Sequence, residues 1–395
     1  MRIGVSAVTI NRGGSGTGQY LLNLLGALVA EARDCEFIVF ALDRDRELFD
    51  SFGPPVRVVS VGEDFRPGSR HLAWHQFVLP RLARDLALDV LHVPALNRFP
   101  WAKPCPLVGT VDNSDRFPDN PAAGWSRAWF RRTLLPALAR RQDELVAVNA
   151  AAAAELIDVL GVPSCQVTVI PNGVDHARFH PGDRETAATW LAREHGLRPP
   201  FFLSVARLEH PENNLLRLIE AFNRFKAETP SPWQLVLAGP DGRGAAAVRE
   251  RIRRSPYAPD IRCPGHVAPE RLTTWYHAAG AFVSTAFGAG FGLAPLEAMA
   301  SGCPVLVAEG SGAAELCGRA ALTADASDVE AIEFQLAALA GNAPLRTHLA
   351  FAGVQRAGRF AWRKTAAATL EVYVRASRRV RVPVLTHPVL SAPVS

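Results

Sequence analysis

At 395 residues, the chain is longer than one ordinary hydrophobic core organises and fits two domains of α/β size. It is 48% hydrophobic and 21% charged, the balance of a globular chain, and it has no apolar run of the roughly 18 residues that a membrane span needs. A formal net charge of +5 and a pI near 9.1 suit anionic ligands or an anionic membrane surface. They are too small to imply nucleic-acid binding, and no nucleic-acid motif accompanies them. Six cysteines (Cys35, Cys105, Cys165, Cys263, Cys303, Cys317) are scattered with no C-x-x-C pair. This argues against a disulfide framework or a zinc site and for a reducing cytoplasm. The N-terminus, MRIGVSAVTI, enters directly into a strand-like pattern rather than a signal peptide.

The first half opens with an expected strand at Arg2–Val8. The glycine-rich loop NRGGSGTGQY follows, then an amphipathic helix from about Tyr20 to Glu31. Strands are expected at Glu36–Leu42 and Val56–Val61, a helical stretch at His71–Leu86, and strands at Asp89–Val93 and Pro106–Val111. A helix over Ser126–Arg141 leads to strand Glu144–Val148, helix Ala150–Leu160 and strand Val167–Ile170, which ends at the turn Pro171–Asp175. Pro181 and Gly182 mark a linker near Phe179–Asp183.

The second half restarts at strand Pro200–Ser204. Helix Leu215–Glu228, strand Gln234–Ala238, the turn GPDGRG, helix Ala245–Ser255, strand Ile261–Gly265 and helix Pro269–Ala278 follow. Ala281–Gly318 then reads as strand, glycine-rich turn, helix, strand and a second turn. Helices at Asp328–Ala340, Pro344–Phe360 and Ala361–Ser377 complete the pattern, and a proline-rich tail is expected to be disordered or loosely docked. Strands alternating with helices predict parallel sheets covered on both faces, with ligands beyond the carboxyl ends of the strands.

The richest segment is AFVSTAFGAGFGLAPLEAMASGCPVLVAEGSGAAELCG, Ala281–Gly318. Gly288, Gly290 and Gly292 let the backbone approach a ligand closely, and the helix from Leu293 directs free N–H groups at it. Glu297, one turn into that helix, is placed to accept hydrogen bonds from a sugar or ribose hydroxyl. Together these features suit a nucleoside diphosphate.

The whole run resembles the nucleotide-sugar site of glycosyltransferase family 4, E-G-F-G-L-x-x-L-E-A-M-A-x-G-x-P-V, and the resemblance covers essentially the entire chain. It implies the GT-B fold: two doubly wound, Rossmann-like α/β domains facing across a cleft, with the C-terminal helix crossing back near Phe360–Trp362. The expected division is an acceptor-binding domain at 1–180, a nucleotide-sugar domain at 181–360, a crossover helix at 361–382 and a tail at 383–395.

The family's G-G-x-G-x-Y loop is matched by Gly13–Tyr20, which implies that Gly16 and Gly18 approach the donor phosphates. Pro171–Asp175 matches P-N-G-V-D, read as shaping the hinge rather than performing chemistry. Ser204–Asn214 resembles S-V-x-R-L-x-H-P-x-K-N, where an Arg and a Lys hold the leaving diphosphate. Arg207 is the Arg, and fixed cations there act most strongly as charge develops on the phosphate. Gly290, Phe291, Gly292 and Leu293 would line the phosphates with backbone N–H groups, and Glu297 would bind the ribose.

Several positions depart from the pattern. Asn213 stands at the Lys, Ala289 at the first Glu, and Asp112, in Thr110–Asn113, at the His of T-x-H-D, where a shift of one residue is the alternative. His92 and His75 are the nearby histidines, and a lone histidine is more often a satisfied core residue. In Trp74–His75–Gln76 the family often has W-E-Q, so His75 is a further departure.

Trp125–Arg141 mixes aromatic residues with five arginines at helical spacing. It reads either as a peripheral contact with an anionic membrane surface or as an ordinary solvated helix face.

Two functions follow from the resemblance. One is retaining transfer of a hexose, such as mannose, from a GDP- or UDP-linked sugar to a glycan or lipid-linked acceptor in polysaccharide biosynthesis. It implies no metal and no resident cofactor, and a place in the cytoplasm or at the inner membrane face. The other is a catalytically degenerate relative that binds nucleotide or a partner enzyme without turnover.

Overall fold

The structure, a computed structural model, describes residues 1–13, 16–66, 68–111, 130–288, 290 and 292–379. Asp112, Ala289, Phe291, residues 125–129 of the basic stretch and the C-terminal tail lie outside these residues.

Seven parallel strands form the first sheet: β1 (Arg2–Ser6), β2 (Glu36–Leu42), β3 (Val56–Val61), β4 (Val90–Val93), β5 (Leu107–Val111), β6 (Glu144–Ala147) and β7 (Val167–Val169). Their order is β3-β2-β1-β4-β5-β6-β7, with Ile3 in register with Phe37 on one side and Val90 on the other. Helices cover both faces, so both sets of alternating side chains are apolar. Ile3, Val5, Phe37 and Val39 enter one core, while Ile38, Phe40 and Leu42 enter the other.

The second sheet has six parallel strands: β8 (Phe201–Val205), β9 (Gln234–Ala238), β10 (Ile261–Gly265), β11 (Ala281–Ser284), β12 (Val305–Ala308) and β13 (Leu322–Ala324). Its order is β10-β9-β8-β11-β12-β13. The strand order reverses between β1 and β4 in one sheet and between β8 and β11 in the other. Such switch points open a crevice at the carboxyl ends of the strands.

Helix Trp362–Arg379 crosses back onto the first sheet's layer and packs against helix Gly16–Glu31. Ala366, Val372, Tyr373 and Ala376 are buried in the same core as Ile3 and Val39. Thr365 Oγ1 donates to the Pro171 carbonyl at 2.8 Å, and the Trp362 and Tyr20 rings lie 6.1 Å apart. Gly173 sits under this crossing. A Cβ there would come within 2.1 Å of the Trp362 backbone nitrogen, so only glycine lets the two segments meet.

Several elements differ from the sequence expectation, among them a 3-10 helix at Asp43–Phe52. The first helix begins at Gly16 rather than near Tyr20, which puts Gly16 and Gly18 in its first turn instead of a free loop. Helix Arg184–His195 fills what reads as linker continuation; the Asp183 carboxylate caps it by accepting from Glu185 N, and Gly196 ends it with φ +61°. The segment after β12 is a short helix, Gly312–Cys317, capped by Ser311, followed by β13.

Candidate active site

Both nucleotide motifs of the second half leave strands that flank the β8/β11 switch point. Arg207 lies two residues beyond β8, with an exposed side chain whose Nε is 3.0 Å from Glu209 Oε1. An ion pair this open to water holds its partners weakly, so the guanidinium is free to turn to a stronger anion. Asn213 does not stand beside it as a second phosphate donor. Its Nδ2 donates to the Arg207 carbonyl at 2.8 Å and so fixes the loop from which the guanidinium projects.

The turn after β11 touches this same loop. Thr285 Oγ1 donates to the Asn213 carbonyl at 3.4 Å, Phe287 N to the Glu212 carbonyl at 3.4 Å, and the Arg217 guanidinium lies 5.6 Å from the Phe287 ring centre. Gly290 is part-buried. Gly292 has φ +74°, and its missing side chain leaves room for Ala313, which a Cβ would approach to 2.9 Å. Gly292 caps helix Leu293–Ala300 without a side-chain hydrogen bond, so the first N–H groups of that helix face the turn. The loop that carries Arg207 and Asn213 thus touches the turn that leads through Gly292 to helix Leu293–Ala300, so a guanidinium and a helix N-terminus, both positive elements, follow strands of the same switch point.

Glu297, on the next turn, is half-buried, and its Oε2 accepts from Tyr276 Oη at 3.0 Å. Burial raises its pKa to about 7, although the Tyr276 hydrogen bond and the Arg178 charge oppose the rise. Tyr276 is fully buried and packs edge-on against Phe179, with ring centres 6.1 Å apart. Sequence reasoning missed Tyr276, Arg178 and Glu209. A tyrosine on the preceding helix and an arginine just past Pro171–Asp175 carry no local signal; only the fold brings them to Glu297.

On the first sheet, Gly16 is exposed and Gly18 buried in the opening turn of their helix. The histidines named from the sequence prove to be core residues. His92 Nε2 is 2.8 Å from Thr110 Oγ1 and its Nδ1 is 2.8 Å from Tyr373 Oη, while Thr110 Oγ1 lies 3.2 Å from Tyr20 Oη. Burial pushes the His92 imidazole down to about 3, so it is neutral and serves to tie the crossing helix to the sheet. His75 is likewise neutral and buried, bonded between Ser6 Oγ and the His71 carbonyl at 2.9 Å each.

Glu315 links the two halves. Its carboxylate accepts from Ala150 N at 2.9 Å and Ala151 N at 3.3 Å, at the start of the helix after β6. Among the described residues, no group of three or more His, Cys, Asp or Glu is arranged to hold a metal ion. Nor is any helix among them long and apolar enough to cross a membrane.

Comparison with known proteins agrees with this architecture. Residues 14–178 match Glycosyltransferase Family 4, and residues 199–342 match Glycosyl transferases group 1. The chain is 32% identical over 252 residues to D-inositol 3-phosphate glycosyltransferase 2 of Catenulispora acidiphila, covering 60% of this chain and 57% of that protein. It thus spans little more than half the length of that group of relatives. Glycogen synthase of Mycobacterium tuberculosis is 26% identical over 411 residues, covering 95% of this chain and 94% of its own. Among solved structures, sucrose-phosphate synthase of Thermosynechococcus elongatus superposes with a TM-score of 0.77 at 17% identity, covering 96% of this chain and 100% of the other. The Anabaena protein Alr3699/HepE, in complex with UDP and glucose, gives a TM-score of 0.74 at 17% identity, covering 95% and 99% of the two chains. With both halves matched in sequence and both sheets matched in space, the chain belongs to the glycosyltransferases of family 4, with the GT-B fold.

Proposed function

We propose that this glycosyltransferase moves a hexose from a nucleotide-diphosphate sugar, GDP- or UDP-linked, to a glycan or lipid-linked acceptor, keeping the anomeric configuration. The observation that supports this reading is that the loop holding Arg207 and the turn before helix Leu293–Ala300 leave the two strands of one switch point and touch each other. As the glycosidic bond breaks, its electron pair passes to the diphosphate. A guanidinium and oriented N–H groups already in place favour that charge without reorganising. In this reading Glu297 accepts from the ribose hydroxyls while Tyr276 holds one of its oxygens. Gly290 and Phe291 give the phosphates a close backbone, and Gly16 and Gly18 approach from the other domain. No described side chain at the crevice is placed as a nucleophile, so the acceptor hydroxyl attacks on the face that the leaving group vacates. The relatives support sugar transfer of this kind. They include an O-antigen chain mannosyltransferase of Escherichia coli, and UDP accompanies the Anabaena neighbour.

A role in polysaccharide biosynthesis at the inner membrane face is part of the proposal. It draws on the basic helix of which Phe130–Arg140 is described. A second reading, nucleotide binding without turnover, is favoured by one observation: Asn213 spends its amide on the Arg207 carbonyl, leaving a single cation where the family pattern has two. By analogy with losing an oxyanion-hole donor, the missing charge costs about 3 kcal/mol, or a hundredfold in rate. Nucleotide release from sugar nucleotides, measured with and without acceptor, separates the two.

A further inference from the structure

A nucleoside diphosphate carries negative charge on both of its phosphates. The loop after β8 meets it with one guanidinium, Arg207, and with the neutral Asn213. The N-terminus of helix Leu293–Ala300 adds only about half an elementary charge. A second full cation has to come from another segment, and the neighbouring loop, after β9, carries Arg243.

The backbones of these two loops are bonded together. Leu208 N donates to the Pro240 carbonyl and His210 N to the Arg243 carbonyl, both at 2.9 Å, and Gly242 N donates to the Leu208 carbonyl at 3.2 Å. The packing is close, since a Cβ on Gly242 would come within 2.2 Å of Glu209 Cγ. From this position the Arg243 guanidinium pairs with the carboxylate of Glu212, the residue before Asn213. The Glu212 carbonyl in turn accepts from Phe287 N, on the turn after β11, at 3.4 Å. Glu212 is thus where the loops after β8, β9 and β11 come together, and Arg243 reaches it.

This ion pair is not what fastens the loops, because backbone hydrogen bonds already do so. The Arg243 side chain is 56% exposed and that of Glu212 29%, and a pair so open to water contributes little to stability. Arg207 stands in the same relation to Glu209, at 48% and 27%. Two accessible guanidinium groups on adjacent loops are therefore each held by a carboxylate of the loop after β8. A phosphate, with its greater charge and its bidentate fit to a guanidinium, displaces a water-exposed carboxylate.

We propose that Arg243 is a phosphate-binding residue of the donor site. On binding, Arg207 and Arg243 leave Glu209 and Glu212 and take the diphosphate between them, so the loop after β9 supplies the charge that Asn213 does not. The assignment rests on the nucleotide-sugar reading of the site.

The test is titration calorimetry of the full chain with UDP and GDP, their monophosphates and their nucleosides, beside thermal melting without ligand. Arg243→Gln is expected to weaken diphosphate binding about tenfold, monophosphate binding less and nucleoside binding not at all, with an unchanged melting temperature. Arg243→Lys, which keeps the charge, retains part of the affinity. Glu212→Gln, which removes the competing carboxylate, leaves diphosphate binding equal or several-fold tighter. If Arg243→Gln and Glu212→Gln weaken it alike, the pair is structural and the proposal is overturned. If Arg207→Ala lowers diphosphate affinity while Arg243→Gln leaves it unchanged, the assignment of Arg243 fails and the nucleotide-sugar reading stands. If the unmodified chain binds neither diphosphate more tightly than its nucleoside, that reading fails and takes the assignment with it.

Discussion

Arg207 and Glu297 divide the work of the nucleotide site between charge and recognition. The weak, open ion pair of Arg207 with Glu209 exchanges readily for a diphosphate, and Asn213 adds no second cation. Arg207→Ala should therefore weaken nucleoside diphosphate binding by roughly 1.5–3 kcal/mol, the range for hydrogen bonds to charged groups, and barely alter nucleoside binding. Titration calorimetry of the two ligands checks this, and equal diphosphate affinity before and after removes Arg207 from the site.

Glu297 makes the site pH-dependent. Its pKa in the folded chain, about 7, lies above the usual 4.5, so the fold favours the protonated form. The penalty for ionising it is absent below the unfolded value, grows between the two values and is complete above about 7. Glu297→Gln should thus gain stability relative to the parent between about pH 5 and pH 8, by on the order of 1–3 kcal/mol. Ribose binding, by contrast, needs the carboxylate. Nucleoside diphosphate affinity should rise about tenfold from roughly pH 6 to pH 8 in the parent and stay flat in the variant. A flat profile in both would show that Glu297 does not bind the ligand in its ionised form.

At the scale of elements, the motif Pro171–Asp175 matters because of what crosses it. Gly173 and the backbone of Ala361–Trp362 meet without side-chain space, and Val174 bridges to Ala361. Gly173→Ala forces these segments apart and should cost at least about 1–3 kcal/mol, seen as a lowered urea midpoint. An unchanged midpoint would mean that the crossing helix docks independently of this contact.

The periodicity of strands and helices was legible because alternation and glycine breaks are local. The helix Arg184–His195 had signals too, Asp183 before it and Gly196 after it, but Pro181–Gly182 reads more strongly as an interruption. The early start of the first helix was hidden for the opposite reason: Gly16 and Gly18 have poor helix propensity, and burial of Gly18, Tyr20 and Leu21 overrides it. Partners such as Tyr276 for Glu297 and Tyr373 for His92 join distant segments, and no local pattern announces them.

Across the whole molecule, two sheets with matching order reversals present their switch points as the natural places for ligands. Glu315 at the helix after β6 and the crossing helix at β4 and β5 tie the halves together. The parallel sheets follow from the sequence pattern, whereas the strand orders and the contact between the loop at Asn213 and the turn at Phe287 emerge only in three dimensions. That contact is what joins two motifs that are separate in the sequence. The most direct test of the account is release of nucleotide from UDP- and GDP-linked hexoses by the unmodified chain, with and without glycan and lipid-linked acceptors. The account predicts turnover that requires acceptor and is lost in Arg207→Ala. Tight nucleotide binding with no acceptor-dependent release from any of these donors would contradict it.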